Sequence, residues 1–123
     1  MKIIDEVSCE SAAATLHDAR FTTNEIMFDP HLQTFLLKCY VFAGNESGAM
    51  SPEVWESYEL FFSGVTHCRI TQEEYVRFCE ISTFRFNSNN RELTIFTHYA
   101  VEITLEFKQM TGFLTKTNET RSW

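Results

Sequence analysis

From Leu93 to Phe107 every second side chain is apolar or small: Leu93, Ile95, Thr97, Tyr99, Val101, Ile103, Leu105 and Phe107. The alternate positions from Ala100 onward carry Glu102, Thr104, Glu106 and Lys108. A period of two marks extended chain with one face in a core and the other in water. Unbroken, such a strand would run to roughly 50 Å at ~3.3 Å per residue, yet a domain of this size has a radius of gyration of only about 14 Å. The segment must coil strongly or conceal a tight turn, expected to be of even length, around His98 to Ala100.

The same rhythm recurs upstream. Thr34 to Ala43 places Phe35, Leu37, Cys39 and Val41 on one face and Leu36, Tyr40 and Phe42 on the other, so it predicts a strand covered on both sides. Glu25 to Phe28 reads as a strand closed by the turn signal Asp29-Pro30-His31. Trp55 to Phe62 is another, continued from Val65 to Ile70 after a bulge at Gly64. Ile81 to Phe86 precedes the hairpin loop Asn87-Ser88-Asn89-Asn90, and Met110 to Thr115 adds a closing strand. Helix is sparse. Asp5 to Leu16, with Ala12-Ala13-Ala14, reads as a short helix. Thr71-Gln72-Glu73-Glu74 matches a capping box and predicts about two helical turns, with a strand as the rival. Gly44 to Pro52 is a loop. The fold class is mainly β, with α+β as its margin: an antiparallel sandwich or partly closed barrel of about seven or eight strands and one or two short helices.

A chain of 123 residues fits one domain, drawn here as 1–117 with 118–123 as a loose C-terminal tail. Hydrophobic residues at 44%, with 12 Phe, exclude a disordered chain. The net charge of −7, with Lys and Arg scattered singly, argues against nucleic acid and against an anionic membrane surface. No apolar run reaches the length of a membrane-spanning helix. Cys9, Cys39, Cys68 and Cys79 read as reduced residues, mostly filling the core, of a cytoplasmic protein, because the opening Met1-Lys2-Ile3-Ile4-Asp5-Glu6 turns acidic before a secretory signal develops.

Motifs that carry chemistry are few. His17-Asp18 is an adjacent imidazole–carboxylate pair, the residue types of acid–base catalysis. Its plain alternative is a turn between helix and strand, capped by Asp18. His67-Cys68, Cys79 and His98 supply zinc-binding atom types, but without ligand spacing, so no metal is expected. Gly64 and Gly112 stand alone and form no phosphate loop, and no cofactor is implied. Glu53, Glu56, Glu59, Glu73 and Glu74, with Glu80, concentrate negative charge in the middle of the chain. They form either an ordinary solvated surface or a patch that docks a basic partner.

Leu16-His17-Asp18-Ala19-Arg20-Phe21, Ile26-Met27-Phe28-Asp29, Leu60-Phe61-Phe62-Ser63-Gly64-Val65 and Val101-Glu102-Ile103-Thr104-Leu105-Glu106-Phe107 together resemble small uncharacterised bacterial β-rich domains, a group that overlaps some immunity proteins of toxin–immunity pairs. The resemblance implies a β fold in a bacterial cytoplasm and supplies no catalytic residue. Three functions follow in order. The first is a non-enzymatic, immunity-like protein-interaction domain whose partner is a basic protein or a twin subunit. The second is a small apolar ligand-binding β-barrel, and the third an enzyme using His17 and Asp18.

Overall fold

The computed structural model describes residues 1–45 and 53–123. Most of the expected Gly44–Pro52 loop, residues 46–52, lies outside them. The elements are β1 (Lys2–Ile3), α1 (Glu6–Thr15), β2 (Arg20–Phe21), a single 3-10 turn (Thr23–Glu25), β3 (Ile26–Asp29), β4 (Thr34–Asn45), β5 (Glu53–Gln72), β6 (Cys79–Asn87), β7 (Glu92–Thr97) and β8 (Val101–Ser122).

They form one eight-stranded antiparallel sheet in the order β1-β8-β5-β4-β2-β6-β7, with β3 beside β4. A further pairing of β7 with β8 returns the order to its start. The sheet is therefore curled into a ring, though not a regular barrel. Two strands make this possible. β5 and β8 are 20 and 22 residues long and pair with each other over most of their length. Strands that long must bend around so small a body, and their register shifts at Glu56/Tyr58, Ser63/Val65 and Val65/His67 let them do so. Gly64, at φ +70°, supplies the left-handed backbone at the middle shift.

The ring is filled. Phe21, Phe35, Phe62, Leu105 and Ile103 are wholly buried inside it. α1 closes one side through Cys9, Ala12, Ala13 and the following Leu16. Asp5 caps this helix by accepting from the Ser8 amide at 2.8 Å, while Ser8 Oγ accepts from the Asp5 amide in return. Cys9, Cys39 and Cys79 belong to the same core, and Cys68 is half-buried at its margin.

The turn concealed in the long alternating segment is His98-Tyr99-Ala100, between β7 and β8, with Ala100 at φ +65°. It has three residues rather than an even number. Leu93 then lies opposite Leu105 and Ile95 opposite Ile103; partners directly across an antiparallel ladder share a face, so an odd loop is what preserves parity. Its even side is not wholly solvated either, since Thr104 and its partner Thr94 are buried.

Two expectations fail for one reason. The helix expected after Thr71 does not form, because Thr71 and Gln72 still pair with β8 and the Glu73 amide donates to the Ala100 carbonyl. Residues 73–78 follow as irregular chain with Tyr75 exposed. The tail expected at 118–123 is mostly strand: Thr120, Arg121 and Ser122 pair with Glu56, Trp55 and Val54. In both places a ladder partner distant in sequence takes the backbone groups that local signals had left free.

Candidate functional site

Two short connections meet at one end of the ring. Leu16 caps the end of α1, and His17 and Asp18 form the turn into β2, Asp18 in the left-handed region at φ +64° that Asp tolerates better than most residues. The β7–β8 turn begins with His98. Neighbouring peptides of β6 hold both turns in place. The Glu80 carbonyl accepts from the His98 amide, the Ile81 carbonyl accepts from the Asp18 amide, and the Ile81 amide donates to the Ala19 carbonyl, each at 2.9 Å.

That clamp brings His98 Nε2 to 2.7 Å from Asp18 Oδ1. His17 Nε2 lies 3.7 Å from the same oxygen, and its Nδ1 donates to the Ser82 carbonyl at 2.9 Å. The two imidazoles stand edge to face, 5.8 Å apart. The bond from His98 holds the Asp18 carboxyl below its ordinary value. All three side chains remain about half open to solvent.

They form one wall of an open cleft of about 610 Å³. The rest of its surroundings is aromatic and charged. The Arg20 guanidinium lies between the rings of Trp55 and Phe78, at 4.5 and 4.4 Å, with Glu80 at 3.8 Å. Trp55 Nε1 donates to Glu53 at 3.2 Å, and Phe42 packs edge-on against Trp55 while staying half exposed. Asp18, Glu53 and Glu80 therefore face the cleft against the single guanidinium of Arg20. An adjoining groove of about 260 Å³ shares His98 and is bordered by Thr71, Glu73 and Glu102.

His17 and Asp18 thus converge in a cleft, and the Asp18 carboxylate is turned to His98. The five glutamates divide. Glu53 is in the cleft and Glu73 in the adjoining groove; Glu56 is bound to Lys116 at 2.9 Å, Glu59 lies across from Lys38, and Glu74 sits in the irregular segment. His98, Arg20 and Trp55 are the contributors that sequence reading did not assign to this site, whereas Glu80 was read with Glu53 in the acidic patch. The turn signal near His98 was the available clue; what brings the others there is β2 pairing with both β4 and β6. Among the described residues no group of three His, Cys, Asp or Glu has the arrangement to hold a metal ion. His67 is turned to Glu106 at 3.1 Å instead. No described helix is long and apolar enough to cross a membrane. Comparison with known proteins yields no match, whether to a protein family, a curated protein or a solved structure.

Proposed function

We propose that this chain is a non-enzymatic protein-interaction domain whose end cleft receives a basic segment of another protein. The observation that carries the reading is the lining: the carboxylates of Asp18, Glu53 and Glu80 beside the exposed ring of Phe42. A lysine or arginine side chain suits such a cleft, its charge meeting the carboxylates and its aliphatic stem lying on Phe42. The net charge of −7 would speed the encounter. In an immunity-like role the partner would be a basic toxin. Free, mostly buried thiols fit a reducing, cytoplasmic setting. An apolar ligand inside the ring gains no support, since Phe21, Phe35, Phe62 and Leu105 fill the centre.

The test is a fluorescence titration of the protein with lysine- and arginine-rich peptides, read through the emission of Trp55 and the Trp123 stacked on it, beside acidic peptides of equal length. Binding of the basic series alone is expected, weakening with added salt and by about tenfold in the triple variant Asp18→Asn, Glu53→Gln, Glu80→Gln. Equal affinity for acidic peptides, or no effect of the triple variant, removes the proposal.

One observation favours a second reading, an acid–base enzyme. With Nε2–H donated to Asp18, His98 has its Nδ1 lone pair available, as a general base requires. Among the described residues neither Ser nor Cys lines the cleft as a nucleophile, so a substrate or water would have to supply one. Turnover of a model ester that survives Glu53→Gln and is lost in Asp18→Asn would select this reading; absence of turnover would retire it.

A further inference from the structure

Two of the four histidines meet at one carboxylate. His31 lies in the turn between β3 and β4, and His67 of β5 faces Glu106. His17 and His98 instead come from different connections and share Asp18 Oδ1. Their ring nitrogens are committed differently. A carbonyl only accepts, so the bond to Ser82 at 2.9 Å places the proton of neutral His17 on Nδ1 and leaves Nε2 an acceptor. That nitrogen lies 3.7 Å from the Asp18 carboxylate, acceptor beside acceptor. A proton there replaces the mismatch by a pair of opposite charges. In His98 the Nε2–H already donates to Asp18, and Nδ1 is the nitrogen that can take up a proton.

Every element around the two rings contributes charge. In the cleft they stand with Asp18 of their own turn, Glu80 of β6, Glu53 of β5 and Arg20 of β2. Glu10 of α1 joins His17 in lining a further hollow of about 300 Å³, and Glu73, Glu102 and the Tyr99 phenol border His98 in the adjoining groove. Carboxylates ordinarily titrate below about pH 5, and guanidinium and phenol groups above about pH 9, whereas imidazole changes charge between about pH 5 and 8. The bond from His98 takes Asp18 further below the carboxylate range. From neutral to mildly acid solution the imidazoles alone therefore alter the balance. With both rings neutral, three carboxylates of the cleft face one guanidinium; with both protonated, its positive and negative groups are equal in number. We infer that His17 and His98 make the cleft a proton-released site, which holds a cationic side chain at neutral pH and discharges it as the two imidazoles take up protons. This rests on the cleft being the receptor for a basic segment and adds its regulation. The rings are 5.8 Å apart, so the charge gained by one opposes that gained by the other, and release is gradual. Both also stay about half open to solvent, where each charge is screened, so the change expected is about tenfold for the pair.

Calorimetric titration with an N-acetylated, lysine-rich peptide that lacks histidine tests the inference, at about pH 7.5 and about pH 5.5 and equal ionic strength. The wild-type chain should bind about tenfold more weakly at the lower pH. Midway between, binding should release protons, read as a heat that depends on the ionisation enthalpy of the buffer. The double variant His17→Asn, His98→Gln carries amides that can still donate to Ser82 and Asp18 but do not titrate in this range. Its affinity should be the same at both pH values. If the double variant loses the wild-type circular dichroism spectrum, the two single variants decide, each expected to be less sensitive to pH than the wild type. Wild-type affinity that does not change between the two pH values overturns the inference, as do folded variants that stay as sensitive as the wild type; either result leaves the basic-segment reading standing. A peptide that binds at neither pH retires that reading and the inference together.

Discussion

Three cysteines show how a core can weaken as the solution becomes alkaline. Burial pushes the Cys39 thiol up to about 12 and those of Cys9 and Cys79 up to about 11, from an ordinary value of 9.0. A folded value raised above the unfolded one means that the folded chain keeps protons the unfolded chain has released. The contribution to stability is fully present below 9.0 and is lost as the pH rises through the folded values. Urea midpoints should therefore fall from about pH 9 upward, and less steeply in Cys39→Ala than in the wild type. An equal slope in both chains would rule out this origin. The same burial orders thiol reactivity: half-buried Cys68 should react with a disulfide reagent before the other three. Gly112 shows the opposite constraint, no room at all. A Cβ there would lie 2.4 Å from the Phe62 ring, so the close approach of β8 to β5 depends on the missing side chain.

At the scale of elements, the last strand binds both its own neighbour and the outer surface. Arg121 pairs across from Trp55 and lies 4.0 Å from the Trp123 ring, and Trp123 in turn rests on Tyr40, Trp55 and Phe78. Trp123→Ala should lower stability by about 1–3 kcal/mol, measured by denaturant unfolding, where a loose tail would give no change. Such long-range pairing also divides what the sequence disclosed from what it did not. α1, β4, the bulge at Gly64 and the turn at His98 were legible, because each is written in its own stretch of sequence: an alanine run, an alternation, a lone glycine, a rhythm too long for the body that holds it. β1 and β2 were not. Each has two residues, too few for a period, and exists because β8 or β4 and β6 offer it a ladder. The capping box at Thr71 was legible and misleading, since pairing with Val101 and Glu102 outweighs a local cap.

For the molecule as a whole, composition and period were enough to identify a β-rich domain and to name a partly closed barrel as one of two architectures, but not to say which strands close the ring. Closure depends on β8 pairing with β7 as well as with β5 and β1, and nothing in its own residues announces the β7 ladder. The site was half legible in the same way. His17 and Asp18 carry the right chemistry side by side, but the cleft exists only once β2 pairs with β4 and β6, which sets Glu80 beside Arg20 and holds the His98 turn against Asp18.

β5 begins with Glu53 in the wall of the cleft and, having travelled round the ring, ends at Gln72, with Thr71 and Glu73 bordering the groove that shares His98. The strand is a belt whose two ends border hollows that share one imidazole. An occupant that tightens one end has a continuous, hydrogen-bonded path to the other, so amide exchange near Glu53 and near Gln72 should slow together when either hollow is filled.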